Sequence, residues 1–241
     1  MHLLAEMSWE EVKEYRARED RVIVPLGATE QHGRHLGLGT DSIEAETIAM
    51  RVGERTGIAV APTLNYGMSH AHLDFPGTLS LRTTTLIAVL EDILRALHRH
   101  GFRRVFIVNG HGGNTAALMS AVHLVANDLR DVRVKYFEWW TDAEAYHVII
   151  EMLGAQVGSH ASPGETAIML AANPRAVKLE RLTGRDAPVM PAREITTVNT
   201  FAQKYPDGIM GLDPRNATRE VGEALIEKSV EICAREITEW K

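Results

Sequence analysis

Cysteine is nearly absent. The single Cys233 in 241 residues cannot form an internal disulfide, and its place in a helical-looking segment suits a small core residue in a reducing compartment. Long apolar runs are absent too. None approaches the roughly 20 residues that a membrane helix needs, and the opening MHLLAEMSWEEV turns acidic too soon for a secretory leader. The chain therefore reads as soluble and cytoplasmic, with no membrane partner. Positive charge is not in excess: 26 basic residues stand against 32 acidic ones, giving a net charge of -6, and the acidic residues are scattered. That excludes an electrostatic nucleic-acid surface. What remains is an ordinary globular composition, 45% hydrophobic and 24% charged. Histidine is the exception. There are 11, and several sit beside glycines in loop-like segments.

The pattern along the chain alternates strands and helices. Residues 21–26 (RVIVPL) predict a buried strand, followed by a glycine-rich loop to Thr40 and a helix from Asp41 to about Arg55. A second strand is expected over 58–64, then a long loop holding YGMSHAHLDFPGT (66–78). Thr83 to His100 is the clearest helix, with Leu86, Leu90, Ile93, Leu94 and Leu97 at three-four spacing and Gly101 as its stop. Then come a strand (103–109), the loop GHGGN, a helix (115–129), a strand (132–140), a helix (141–153), a loop (158–164) and a short helix (165–172). Residues 183–216 read as an irregular excursion, and a last amphipathic helix runs from about Thr218 to Trp240. Such repeats imply one α/β domain over residues 1–241, its largely parallel sheet covered by helices on both faces. Ligands of such sheets gather beyond the carboxyl ends of the strands. The loops after the first and third strands are therefore the ones to inspect.

The first of these carries GATEQHGRHLGLGTD (27–41). Residues two apart in an extended stretch point the same way, so Glu30 and His32 can converge on one ion. Asp41 can fold back across the glycines, although an aspartate before a helix is also a favoured N-cap, and one oxygen can serve each role. The second loop carries VNGHGGN (108–114), where His111 crests a strand-to-helix turn. A metal ligand, an anion cradle at a helix N-terminus and a plain tight turn all fit that pattern. It matches neither the dinucleotide nor the P-loop fingerprint. GSHASPGET (158–166) offers His160 as a general acid/base and Glu165 as a ligand, a proton carrier or simply a first-turn glutamate. SHAHLDFPGT (69–78) adds His70 and His72, with Phe75-Pro76-Gly77 as a shaped wall. Ser69, His72, Gly112 and Asn114 are the substrate-contact candidates. His98, His100 and His123 fall on helices and read as surface or packing residues. An ion is the simplest use for so many converging ligands.

GATEQHGRHLGLGTD, FPGTLSL, VNGHGGN and HASPGET, in that order and at these spacings, resemble the creatininase (creatinine amidohydrolase) family over nearly the whole chain. The resemblance implies a three-layer α/β sandwich with a mostly parallel, mixed sheet and a site for two divalent ions, whether zinc, manganese or iron. It implies that Glu30, Asp41 and His111 hold one ion, that His32 holds the second, and that Asp41 bridges them. It further implies that His160 shuttles protons, that Glu165 lines or completes the site, and that the chain assembles as a homo-oligomer, a dimer or hexamer. Two departures stand out. Creatinine hydrolases follow the NGH with a bulky residue and a glutamate ligand, where this chain has Gly112 and Gly113; they also place a tryptophan near the position of Gln156. The implied activity is thus hydrolysis of a small amide, cyclic amide or formamide other than creatinine, with deformylase and peptidase relatives as the alternative. An anion- or nucleotide-binding protein without catalysis, and a hydrolase-shaped subunit that has lost it, are the rivals from other classes.

Overall fold

The computed structural model describes residues 1–154, 158–183 and 198–240. Its centre is a four-stranded sheet built from β1 (Arg21–Leu26), β2 (Ala59–Val60), β3 (Arg104–Asn109) and β4 (Arg133–Phe137), in the order β2-β1-β3-β4. All three pairings are parallel, and β1 matches β3 residue for residue from Arg21–Arg104 to Leu26–Asn109. The strands alternate faces, as the two-residue period demands. Ile23, Phe106 and Val108 enter one core together with residues of α2 (Thr40–Thr56), α5 (Ala143–Leu153), α6 (Pro163–Ala172) and α8 (Arg219–Thr238). Val22, Val24, Val105 and Ile107 enter the other, with α1 (Trp9–Arg16), α3 (Thr83–Arg99) and α4 (Thr115–Asp128). The result is the expected three-layer α/β fold. Cys233 is buried in the first core, the place its sequence context suggested.

Several boundaries differ from the sequence reading. The strand expected over 58–64 is only two residues long, because Pro62 has no N–H to give; Ala61 and Leu64 on either side still donate to β1 carbonyls. The strand expected over 132–140 ends at Phe137, where Thr141 and Asp142 bond back to the Glu138 carbonyl and turn the chain. Trp139 and Trp140 therefore lie in a turn rather than a strand. The described part of the 183–216 excursion is not wholly irregular. It holds α7 (Val198–Lys204) and β6 (Met210–Gly211), which pairs antiparallel with β5 (Gly158–His160) in a separate ribbon. Phe201 and Tyr205 of this stretch pack on Phe75, so apolar contact gives α7 its place.

The crossing of α6 and α8 fixes the end of the fold that bears on the site. A Cβ at Gly222 would collide with the Ala167 carbonyl oxygen, so the two helices touch backbone to backbone there. Gly222→Ala should destabilise the protein by about 1–3 kcal/mol, the range for overpacking. A urea midpoint equal to or above that of the parent would show that the helices can separate without loss.

Candidate metal centre

Glu30 and His32 leave the end of β1, His111 leaves the end of β3, and Asp41 sits in the first turn of α2. The β5–α6 turn brings His160 and Glu165 to the same point. All six side chains are buried. Their ligand atoms form three overlapping groups, each within 4.8 Å: Glu30 with Asp41 and His111, His32 with Asp41 and Glu165, and Glu30 with His32 and His160. Asp41 belongs to two of them. Its Oδ1 is 2.9 Å from His32 Nε2 and its Oδ2 is 3.2 Å from His111 Nδ1.

Backbone contacts orient both of these histidines. His32 Nδ1 lies 3.3 Å from the Glu30 carbonyl and His111 Nε2 lies 2.9 Å from the Met68 carbonyl. A carbonyl only accepts, so in the neutral rings these nitrogens carry the proton, and His32 Nε2 and His111 Nδ1 are the ones that face the centre and lose their proton to a cation. That is the arrangement by which proteins orient imidazole toward a metal. Among the described residues, both Glu30 oxygens, His32 Nε2 and Asp41 Oδ2 are buried without a hydrogen-bond partner. Buried polar atoms are otherwise nearly always paired. Oxygen and nitrogen ligands of this kind, facing one another unsatisfied, fit divalent cations such as zinc, manganese or iron.

The electrostatics agree. Burial, reinforced by Asp41 and only partly offset by His111, pushes the Glu30 carboxyl up to about 7. Burial works against a charged His111, but Glu30 and Asp41 carry it up to about 9. Burial likewise opposes charge on His32, and Asp41 and Glu165 override it. Asp41 is held well below the usual carboxylate range by His32 and His111 despite its burial. Protons thus sit where a cation would.

Asp41 does not cap its helix. The N-cap is Gly39, with no side-chain bond, and Asp41 lies one residue inside the helix. Division of one carboxylate between a helix end and the ion site occurs instead at Glu165. Its Oε2 accepts from the Ser162 N–H at 2.7 Å, closing a capping box, and its Oε1 faces His32 Nε2 at 3.4 Å. The turn before it is strained: Ala161, between His160 and the capping Ser162, has a φ of 51°.

A cavity of about 450 Å³ lies at the centre, lined by Glu30, Asp41, His111, His160 and Glu165 together with Trp139, Trp140 and Tyr146. His72 and Gly112 also line it. Ser69 and Asn114 lie behind the wall. Asn114 donates to the Gly27 carbonyl and accepts from Met68 N–H, while Ser69 Oγ approaches His111 Nε2 at 3.5 Å. Three further segments line the cavity: 64–80 contributes His72, 139–147 contributes the three aromatics and 183–216 contributes Met210. Residues 184–197 of the last loop lie outside the described residues, as does Gln156. His98 pairs with Asp131 at the surface.

Four buried polar residues near the centre carry no signal in the sequence reading. Glu44 lies three residues after Asp41, hence on the same helix face. Trp139 Nε1 donates to it at 3.2 Å, and burial together with Glu165 and Asp41 pushes its carboxyl well up. His35 bonds Thr166 Oγ1 at 2.9 Å, Glu138 accepts from Asn109 and Thr115, and Gln31 sits among His72, His160 and Gly208.

The creatinine amidohydrolase family profile matches residues 5–237 of this chain. The chain belongs to the creatininase family. It is 31% identical to the creatinine amidohydrolase of Pseudomonas putida over 98% of its own length and 96% of that protein. It is 35% identical to the mycofactocin precursor peptide peptidase of Mycolicibacterium smegmatis, over 91% of its length and 85% of that protein. A crystal structure of creatininase superposes with a TM-score of 0.90 at 31% identity, covering 98% of this chain and 96% of the other. Related creatininase structures are described as a Zn–Zn type and as a manganese form. The creatininase family is one of metal-dependent amidohydrolases, and this member is a hydrolase.

In this creatininase-family chain, Gly113 cannot carry the glutamate found at that place in creatinine hydrolases without rearrangement. A Cβ there would collide with the Met68 carbonyl and the His111 ring. The second oxygen facing His32, after that of Asp41, comes from Glu165.

These proton affinities set the sign of metal uptake. His32, His111 and Glu30 all bind protons more tightly than in water, so ions would displace protons on binding. Affinity should rise from pH 6 to pH 8, with protons released as the ions bind. Calorimetry in buffers of different ionisation enthalpy measures this release; uptake independent of both buffer and pH would contradict the ligand set.

Proposed function

We propose that residues 1–241 form one catalytic unit that hydrolyses a small amide, cyclic amide or formamide C–N bond using two divalent ions, zinc, manganese or iron. The observation that carries this reading is the set of buried, unpartnered oxygens and nitrogens on Glu30, His32 and Asp41, two of which line the cavity. Glu30, Asp41 and His111 would hold one ion and His32, Asp41 and Glu165 the other, with Asp41 between them. When bound, such a pair supplies a water of lowered pKa and a Lewis-acid contact for the amide oxygen. The protein's own groups supply the rest. Burial and the neighbouring His72 and His32 keep His160 neutral, with Nδ1 facing Glu30 Oε1 at 3.4 Å. From there it takes the proton of the attacking water and delivers it to the leaving nitrogen. Trp140 and Tyr146 add apolar surface to the cavity lining.

Creatinine is a poor match for this pocket. At Gly112 a Cβ would meet only Trp140, at 3.9 Å, so the site is roomier where creatinine hydrolases carry a bulky side chain. The same opening, with 35% identity to a peptide peptidase, supports a second reading in which the amide belongs to a short peptide. The anion-turn reading of GHGGN finds less support, because His111 is turned into the ligand cluster. We further propose a cytoplasmic homo-oligomer, dimeric or hexameric; sedimentation measures the assembly.

Zinc- or manganese-loaded protein should turn over at least one member of a panel of cyclic amides, formamides and short peptides, and lose that activity in chelator. His160→Ala should lower turnover on the order of 10²–10⁴-fold with metal content unchanged, whereas Asp41→Asn should lose metal by elemental analysis. Full activity in both variants would overturn the assignment. Gly112→Phe should close the space beside Trp140 and cut turnover of the larger substrates more than of the smallest one; an equal loss across the panel would detach Gly112 from substrate size.

A further inference from the structure

His72 and His160 stack beside the metal centre, with ring centroids 4.3 Å apart and planes inclined by 25°, and Phe201 meets both rings at an angle. Both histidines reach the same carboxylate oxygen. His72 Nε2 is 3.6 Å and His160 Nδ1 is 3.4 Å from Glu30 Oε1. Which of these nitrogens carries a proton decides what each ring can do, and the far side of each ring is held by one residue, Gln31.

The protons around Gln31 can be placed one by one. Its side-chain oxygen accepts from the Gly33 N–H at 2.9 Å, and its side-chain nitrogen lies 3.2 Å from the Gly208 carbonyl. These two backbone groups fix the amide the right way round, since a flipped amide would set oxygen against oxygen and N–H against N–H. The approach is close: a Cβ at Gly208, which has a φ of 73°, would run into Gln31 Oε1. His160 Nε2 faces the main-chain carbonyl of Gln31 at 2.8 Å. A carbonyl only accepts, so His160 Nε2 is the donor and His160 Nδ1 is bare. The Gln31 side-chain nitrogen also lies 2.8 Å from His160 Nε2, but two donors cannot share a proton. Its two protons go to Gly208 and to His72 Nδ1, which is 2.9 Å away. His72 Nδ1 is then an acceptor, and its Nε2 must carry the ring proton.

We propose that Gln31 is a positioning residue that holds His72 and His160 as the same Nε2–H tautomer in opposite orientations, so that His72 presents its N–H and His160 its bare Nδ1 to the same side of the cavity. His72 aims its N–H toward Glu30 Oε1, where it can donate to a substrate oxygen. His160 stays free to accept. The catalytic meaning of this rests on the amide-hydrolase reading, but the tautomers themselves do not.

The test is nitrogen NMR of zinc-loaded, histidine-labelled full-length protein without substrate, with the His72→Gln spectrum assigning the His72 signals. The parent should show the His72 proton on Nε2 and the His160 proton on Nε2. Gln31→Glu offers an acceptor in place of a donor, so the His72 proton should move to Nδ1. Gln31→Met, which neither donates nor accepts strongly, should leave His72 exchanging between both forms while His160, held by the main chain, keeps its pattern. Parent protein with the His72 proton on Nδ1 would overturn the proposal, as would an unchanged His72 pattern in both Gln31 variants. These spectra need no turnover, so their outcome is separable from a failed substrate panel.

Discussion

The folded chain brings the carboxylates of Glu30, Asp41 and Glu165 into one buried pocket, a costly arrangement. Charges removed from water need partners, and several kcal/mol per ion are at stake when none is provided. Here the partners are imidazoles whose protons stand in for cations. Glu44, a fourth buried carboxyl nearby, takes the other route: it stays neutral and accepts from Trp139. Much of the surrounding architecture follows from holding these groups together. The parallel sheet aims two loops at one point, α2 sets its first turn against them, and α6 closes the ring from the helical layer.

Much of this was legible in the chain because the strongest signals were local. RVIVPL and RVFIVN are short β-branched runs, and their all-buried pattern follows from a sheet covered on both sides. The loops beyond them held Glu30, His32 and His111, as the topology of such sheets leads one to expect. The ribbon of β5 and β6 was not legible. Two strands of two or three residues give no period to count, and their partners lie about fifty residues apart. Pro62 and the turn at Glu138 shortened two strands that composition alone would have extended.

The polar residues behind the site were hidden for a different reason. Gln31 lies between two ligand candidates and, by alternation, should face away from them, and so it does; what the alternation does not say is that His72 and His160 occupy that other side. Glu44 looks like any helix glutamate until Trp139, ninety-five residues later, is seen to cover it. Asp41 illustrates the converse. Its position before a helix suggested a cap, but Gly39 and Thr40 begin the helix earlier and free both oxygens for His32 and His111.

Glu165 ties the chemistry of the centre to the mechanics of the helical layer. One of its oxygens starts α6 and the other faces His32, so a cation held as proposed would share a single side chain with the first turn of that helix. Since α8 leans directly on α6, removal of the ion would be felt as slackening along that seam. Ligands that bind only the native state stabilise it by mass action, so agents that strip the ion would also open this enzyme to proteases.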